Sequence, residues 1–232
     1  MTWLTDWWAK QQADFTTCFI EEDRYKLLLS GIGVTIKVSL FAVALGLVIG
    51  FLIAICNLSK KKGLNLIGKV YTDIIRGTPS VTQLMIIYFV VFASISWSKW
   101  IIAGIAFSIN SGAYMSEIIR AGILSIDHGQ TEAGRSLGLT GGQTMRYIIV
   151  PQAVKNIFPA MGNEFITLIK ETAIVGYVGL VDIQKAGDFI KSATFKPFMP
   201  LIGTAIFYFV IIKLLTIALR KIEVKLRKSD VR

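Results

Sequence analysis

Polar and ionisable side chains recur at helical spacing inside two otherwise apolar stretches of the chain. The later stretch carries five of them, namely Asn163, Glu164, Thr167, Lys170 and Glu171. The earlier stretch carries three, namely Asn110, Tyr114 and Glu117. Offsets of three, four and seven residues place side chains near one face of an α-helix. Two such polar stripes on adjacent helices predict a cavity wide enough for a zwitterion. Hydrogen bonds and charged side chains would hold the zwitterion there.

Ion pairing is the alternative interpretation of these charges. An ionisable group at the centre of a bilayer costs about 3 kcal/mol, a cost that is tolerated when the group pairs or faces water. The candidate pairs are Lys170 with Glu164 or Glu171, and Glu117 with Arg120. Thr78 begins a further apolar stretch, where the free N–H groups of a helix N-terminus could hold a carboxylate. A simple helix cap is the other interpretation of Thr78.

The composition is not that of a soluble domain. Of the 232 residues, 53% are hydrophobic and 17% are charged, with a mean hydropathy of +0.60. Soluble domains carry about 45–50% apolar and about 25% charged residues. Several uncharged runs approach the roughly 20 residues that cross a bilayer as a helix. Because these runs are continuous instead of alternating, a β-barrel is disfavoured. The sequence therefore predicts an all-α membrane protein.

Five transmembrane helices are predicted to follow an N-terminal leader. Residues 1–26 are acidic and Trp-rich, unlike a signal peptide. We expect this leader to be amphipathic and to lie on the outer membrane surface, where Trp is favoured; a frayed terminus is the alternative. Residues 27–232 form one membrane domain. Its predicted spans are residues 27–56, 78–92, 100–119, 152–178 and 197–219, with a cytoplasmic loop at about 123–151.

The net charge of +10 is concentrated in alternate connections between the predicted spans. The basic clusters are Lys60, Lys61, Lys62 and Lys69; Arg120, Arg135, Arg146 and Lys155; and Arg220, Lys221, Lys225, Arg227, Lys228 and Arg232. In a soluble protein this charge would suggest nucleic acid, but in a membrane protein such connections face the cytoplasm. We therefore expect an outer N-terminus, a cytoplasmic C-terminus and no nucleic-acid partner.

Small residues repeat at every fourth position of the first predicted span, at Ala42, Gly46, Gly50 and Ala54. This spacing lets a second helix backbone approach closely, which is how helices associate in lipid. Cys18 lies before the first predicted span and Cys56 lies at its far end. We therefore expect the two cysteines to lie on opposite membrane faces and to be unpaired.

Known catalytic motifs are missing or incomplete. Gly63 to Lys69 reads as the front of a phosphate-binding loop, but Val70 stands where that motif needs Ser or Thr. We predict a short basic loop there, with no bound nucleotide. His128 is the single histidine, so no histidine cluster can hold a metal. We accordingly expect neither enzymatic activity nor a cofactor in this chain.

A polar, Gly-rich insert separates the third and fourth predicted spans. It runs from Glu132 to Pro151 and is long enough for a short helix that docks on a cytoplasmic partner. Glu132-Ala133, Gly138, Ile148 and Pro151 stand at the spacing of the E-A-A, x3, G, x9, I-x-L-P loop. The insert thus resembles the signature of permease subunits of bacterial ATP-binding-cassette importers. Gly134 and Val150 depart from that signature, and both replacements are small or apolar.

Further motifs resemble the polar amino acid subgroup of these permeases, and the resemblance covers most of the chain beyond the leader. They are R-G-T-P at 76–79 with Gln83, N-S-G-A-Y-M-S-E-I-I-R-A-G-I at 110–123, and G-N-E-F-I-T-L-I-K-E-T at 162–172. The resemblance implies a type I importer permease fold in a bacterial inner membrane and transport of a polar or charged amino acid by alternating access.

The same resemblance implies site residues and partners. Substrate would be bound by Thr78, Asn110, Tyr114, Asn163 and Glu164, and the ATPase would couple through Glu132, Ala133, Gly134 and Gly138. The implied partners are a second permease subunit, identical or not, ATPase subunits that hold ATP and Mg, and a separate extracytoplasmic binding protein. Membrane lipid surrounds the assembly. The sequence does not select one amino acid among glutamine, glutamate, arginine, histidine and cystine.

Two other functions compete with the importer. An ion-coupled secondary amino acid transporter would also carry charges within the membrane, but the chain shows no repeat of the kind found in inverted-repeat folds. A membrane enzyme acting on lipid headgroups would need a cluster of carboxylates or histidines near the interface, and no such cluster is evident.

Overall fold

The computed structural model describes residues 2–227, and every regular element within that range is helical. Lys228 and Arg232 of the predicted basic tail lie outside the described residues. The ten helices of the described range are α1 (Thr2–Phe15), α2 (Tyr25–Leu58), α3 (Lys62–Arg76), α4 (Ser80–Ile86), α5 (Lys99–Leu124), α6 (His128–Ser136), α7 (Gly141–Thr144), α8 (Val150–Glu171), α9 (Ile183–Thr194) and α10 (Phe198–Arg227). Wider π-type turns extend α4 over Ile87–Val91 and precede α8 over Met145–Ile149, and a 3₁₀ segment, Thr172–Val178, follows α8.

The closest packing in the fold joins α2 to α5 along the small-residue stripe. Ala42, Gly46, Gly50 and Ala54 are all buried. A Cβ atom added at Gly50 would lie 2.7 Å from Cβ of Met115, and one at Gly46 would lie 3.4 Å from the backbone oxygen of Ser108. Side chains at these positions would force the helices apart. The predicted helix–helix contact is thereby confirmed, with α5 as the partner.

Helices α3 and α4 enclose a sharp corner at residues 77–79. Their axes are bent by 103° across Gly77, Thr78 and Pro79. Pro79 favours this corner, because proline disfavours helical backbone in the residue before it and cannot donate a backbone hydrogen bond. The prediction of a loop over residues 63–69 is wrong: this segment lies within α3, whose apolar positions Leu66, Ile67, Val70 and Ile74 stay exposed.

The ends of the helices divide into two groups. One end of the fold gathers Ala54, Ile119, Ala153 and Ile157 in a core cluster, next to α6. The opposite end gathers Leu28 and Ile183 with buried residues that precede α2. The starts of α2, α9 and α10 therefore lie at one end, and the basic segment after α2, helix α6 and the end of α10 lie toward the other.

By length and composition, α2 and the Phe198–Leu226 part of α10 can each cross a membrane, and α3 with its bent continuation Ser80–Val91 makes a third candidate. The helices coincide with the predicted apolar segments, but the crossing by α5 and α8 stays a prediction. The connection between the predicted spans 152–178 and 197–219 contains helix α9, which Asp182 caps by accepting hydrogen bonds from the backbone N–H groups of Gln184 and Lys185. Both cysteines are free, as predicted.

Candidate functional site

Gln83 joins the corner before α4 to helix α5. Its amide nitrogen donates to the backbone oxygen of Ile75, 2.7 Å away, and to the side-chain oxygen of Thr78. Its amide oxygen accepts from Nδ2 of Asn110 at 2.8 Å. Gln83 and Asn110 are both buried. Two of the predicted site residues, Thr78 and Asn110, are thus linked through a third residue that was recognised only as part of a motif.

Thr78 does not cap α4. Its hydroxyl donates to the backbone oxygen of Ile74 at 2.9 Å, and Pro79 occupies the cap position without a side-chain hydrogen bond. The simple-cap interpretation of Thr78 is therefore wrong. The hydroxyl oxygen instead points to Gln83, and the residue remains exposed.

Glu164 reaches the same part of α5 from helix α8. The hydroxyl of Ser111 donates to Oε1 of Glu164 at 3.0 Å, and Ser111 directly follows Asn110 in the chain. Among the described residues, Glu164 makes no ion pair. The interpretation that Lys170 neutralises Glu164 finds no support in this geometry. A half-buried carboxylate with one hydroxyl donor keeps acceptor capacity for a cationic group.

Tyr114 lies one turn further along α5, beside a charged cluster. The Arg76 guanidinium lies 5.3 Å from the centre of the Tyr114 ring. Glu117 accepts two hydrogen bonds from Arg120, at 3.1 and 2.9 Å, and lies 3.8 Å from Arg76. The predicted pairing of Glu117 with Arg120 is confirmed. Bidentate geometry of this kind fixes both partners.

Asn163 occupies a different place. It is exposed and lines a cavity of about 180 Å³ between α8 and α10, together with Gly162, Thr216 and Leu219. Glu164 and Asn163 are adjacent in sequence but their side chains serve different neighbours. Thr78 and Glu164 therefore reach the adjacent residues Asn110 and Ser111 of α5, Thr78 through Gln83 and Glu164 directly. Together with Tyr114, one turn away beside Arg76, these residues are called the polar group around α5; Asn163 lines the separate cavity.

Helix α6 presents the predicted coupling residues. Its start is capped by Asp127, whose carboxylate accepts from the backbone N–H of Gly129 at 2.7 Å. Glu132 is 73% exposed, and its one polar partner among residues 2–227 is His128, at 3.2 Å. His128 is the first residue of α6. Ala133 is also exposed, so the described residues leave this face of α6 uncovered.

Gly134 within α6 and Gly138, two residues after its end, have separate structural roles. Gly134 is buried, and a Cβ atom there would lie 2.8 Å from Cγ2 of Thr144 and 2.9 Å from Cδ1 of Ile148. Gly138 has φ +83°. Its N–H bonds to the oxygen of Arg135, and the N–H of Leu139 bonds to the oxygen of Gly134. This pattern is a Schellman motif, which ends a helix with a left-handed residue. Gly138 therefore fixes the C-terminal end of α6, six residues after Glu132.

No group of three or more potential metal ligands occurs among residues 2–227. The polar group around α5 consists of hydroxyls, amides and one unpaired carboxylate. These groups can hold a small polar molecule by hydrogen bonds and charge, and they include no nucleophile with an adjacent base.

Comparison with known proteins places the chain among transport proteins. Residues 46–228 match the family described as the inner membrane component of binding-protein-dependent transport systems. A protein of Rickettsia bellii, provisionally named as a glutamine transport system permease, is 43% identical over 86% of this chain and 92% of its own length. The arginine transport system permease protein ArtQ of Bacillus subtilis is 40% identical over 88% of this chain and 94% of its own length.

Solved structures agree with this placement. A crystal structure described as an amino acid ABC transporter with histidines has a TM-score of 0.82 at 41% identity, covering 89% of this chain and 98% of that chain. A chain of the inward-facing MetNI methionine ABC transporter has a TM-score of 0.74 at 20% identity, covering 86% of this chain and 96% of that chain. The second likeness concerns the fold alone.

Proposed function

The chain belongs to the family of inner membrane components of binding-protein-dependent transport systems, and we propose a specific site and coupling path for it. It is the permease subunit of an amino acid ABC importer, a translocation component and not an enzyme. Family membership favours this function over an ion-coupled secondary transporter. The relatives named for glutamine and arginine indicate a polar or charged amino acid as the substrate.

The proposed substrate site is the polar group around α5. Glu164 would hold the ammonium or another cationic part of the amino acid, because it has no ion-pair partner among the described residues. Asn110, oriented by Gln83, would bind the carboxylate through its second amide hydrogen. Thr78 would join it only after its hydroxyl releases the backbone oxygen of Ile74. Tyr114 would border the site on the side of Arg76. Asn163 would join the site only through a movement of α8 or through a second permease subunit.

The single observation that carries this proposal is that helices α4 and α8 both hydrogen-bond to adjacent residues of α5. Asn110 is hydrogen-bonded to Gln83 of α4, and Ser111 is hydrogen-bonded to Glu164 of α8. Polar groups inside membrane segments are costly and are typical of substrate pathways. A rocking movement that changes the separation of α4 and α8 would open or close the site, as alternating access requires.

The proposed coupling path starts at the exposed face of α6. Glu132 and Ala133 would contact a partner ATPase that holds ATP and Mg, while Gly134 seats α6 against α7 and Gly138 ends it. A second permease subunit and a separate binding protein complete the proposed importer. The orientation proposed is N-terminus outside and C-terminus in the cytoplasm, which places α6 and the basic segments on the inner side.

Glu132→Lys tests the coupling path. Glu132 is exposed and makes one surface contact, whose loss costs about 0–1 kcal/mol of stability. We therefore expect a folded complex in which ATP hydrolysis no longer drives uptake. The measurement is amino acid uptake per ATP hydrolysed by the reconstituted complex, with Glu132→Gln as the control that keeps the side-chain size. Unchanged uptake by the lysine variant would contradict the docking role of α6.

A screen of ATP hydrolysis against candidate amino acids would identify the substrate. The reconstituted complex with its binding protein is exposed in turn to glutamine, glutamate, arginine, histidine and cystine. We expect stimulation by one or a few of these and loss of uptake in Glu164→Gln. Stimulation by none of them, with uptake that instead follows an ion gradient, would refute the proposed function.

A further inference from the structure

The leader helix α1 is attached to the fold at its C-terminal end. Lys196 donates to the carboxylate of Asp14 at 2.6 Å, and Arg24 donates to the backbone oxygen of Thr17 at 2.6 Å. Phe19 is buried, and its ring lies against Gly203 of α10, where a Cβ atom would come within 2.7 Å of it. The chain turn between α1 and α2 is therefore held in place, and α1 extends from a fixed point.

The apolar side chains of α1 are exposed. Trp3 and Trp7, Leu4 and Trp8 are each four residues apart and Leu4 and Trp7 three, which places the four on one face; their exposed fractions are 68% for Trp3, 46% for Leu4, 44% for Trp7 and 61% for Trp8. No described residue covers this face. Trp and Leu on one side of a short helix favour the membrane interface, where the indole N–H meets water and the ring meets hydrocarbon.

An apolar groove lies directly beneath the turn that follows α1. Its volume is about 300 Å³, and its wall is almost wholly apolar. Phe15, Phe19 and Tyr25 form the side that belongs to the leader and the start of α2, and Ile202 and Ile206 form the side that belongs to α10. Phe15, Ile202 and Ile206 remain about half exposed, so the groove is open to the surroundings.

The position of the groove determines what can fill it. It lies between the starts of α2 and α10, the two helices that are each long and apolar enough to cross a membrane. Ile202 and Ile206 on its open side are followed along α10 by the exposed apolar side chains of Phe209 and Val210. In a membrane, lipid hydrocarbon would cover an exposed apolar helix surface of this kind. Water gains no hydrogen bonds from such a wall, whereas an acyl chain buries apolar surface on both sides.

We propose that α1 lies in the headgroup region of the leaflet at this end of the fold and that the groove beneath it holds one acyl chain of a phospholipid. The exposed Trp face would then pack against the upper parts of neighbouring chains, and the leader would act as a lipid-holding anchor for α2 and α10. The proposal rests on the chain's place in a membrane, and it is independent of the substrate site and of which end faces the cytoplasm.

Fluorescence quenching tests the position of α1. The full permease is placed in lipid nanodiscs, and the signal of the leader is the difference between wild type and W3F/W7F/W8F, whose changes fall on exposed side chains. We expect lipids brominated near the headgroup to remove at least half of this difference, lipids brominated at the chain ends to remove less, and aqueous iodide to remove little. A leader signal quenched by iodide and insensitive to bromine would overturn the proposal.

Native mass spectrometry tests the groove. We expect the wild-type permease, extracted in mild detergent, to retain one phospholipid per chain at this place. Ile206→Asn should lose it, because the variant puts an amide into the groove wall. Phe209→Asn is the matched control, since Phe209 is equally an exposed apolar residue of α10 but does not line the groove. Equal retention by both variants overturns the proposal, as does a second protein chain found at this surface in place of lipid.

Discussion

Replacing Gln83 by leucine removes the link between the corner before α4 and helix α5. Leucine keeps an apolar body of similar length but can neither accept from Asn110 nor donate to the oxygen of Ile75. Asn110 is 4% exposed, so water cannot readily replace the lost partner. A buried polar group left without a partner costs about 1–3 kcal/mol. Asn110 takes this full range, and the oxygen of Ile75, a partly exposed residue, takes about 1 kcal/mol, so we expect a loss of about 2–4 kcal/mol of stability.

The expected loss can be measured as a change in melting temperature. For a chain of this size, a loss of about 2–4 kcal/mol lowers the Tm by roughly 4–16 °C. The assay is thermal unfolding of the purified complex in nanodiscs, followed by tryptophan fluorescence. Thr82→Val is the matched control: Thr82 neighbours Gln83 but is exposed, so removing its hydroxyl should leave the Tm nearly unchanged.

A double-variant cycle separates the hydrogen bond from general damage. Asn110→Leu alone leaves the oxygen of Gln83 without its donor, and the combination with Gln83→Leu removes both partners. Replacing both partners by apolar groups can be nearly neutral, so we expect the combined loss to be smaller than the sum by about 0.5–3 kcal/mol. Strictly additive losses would refute the view that Gln83 acts through Asn110.

Two further predictions use pairs of glycines. Gly138→Ala forces a residue with a side chain into a left-handed conformation, so we expect the end of α6 to lose about 1–2 kcal/mol and uptake per ATP hydrolysed to fall; Gly142→Ala, where nothing lies within 4 Å, is the control. Equal coupling ratios in the two variants would count against the helix end as part of the coupling path. Gly31→Ala would place a methyl group 2.7 Å from the backbone of Asp182, so a lower Tm is expected, whereas Gly33→Ala has open space. If both of these variants have the same Tm as the wild type, the close contact of α2 with the backbone of Asp182 is not present in the protein.

The membrane helices were predictable because their signal is local. The stripe Ala42, Gly46, Gly50 and Ala54 indicates close helix packing from its spacing alone, and α5 proves to be the partner. Helix α3 was missed because it is amphipathic and short of apolar residues on one face. Its Lys and Asn side chains resemble those of a loop, and only the contacts with α2 and α5 show which face is buried.

The polar group around α5 was predictable only in part. Periodicity brings Asn110 and Tyr114 to one face of α5, and Glu164 to a polar face of α8. The sequence alone does not show that Gln83 joins Thr78 to Asn110, or that Ser111 meets Glu164, because both contacts depend on how three helices are arranged in space. Asn163 shows that helical spacing does not determine which neighbour a side chain faces. It is next to Glu164 in the sequence but faces α10.

The role of Gly138 could have been read from the sequence. A glycine immediately after a polar, capped helical segment is typical of a left-handed C-terminus. Asp127 provides the matching start, and the two residues together define α6 without any tertiary contact. The motif spacing in this insert is therefore explained by local backbone geometry as well as by a partner.

Helix α5 runs without interruption from the polar group to within three residues of α6. Asn110 and Leu124 are fourteen positions apart on this helix, a distance of about 21 Å at 1.5 Å per residue. Because α2 packs closely along α5, we expect α5 not to bend between Asn110 and Leu124. A movement of α6 would reach Asn110 and Ser111 as a rigid rotation of α5. The displacement at the proposed substrate site would then depend on where along α5 the axis of that rotation lies.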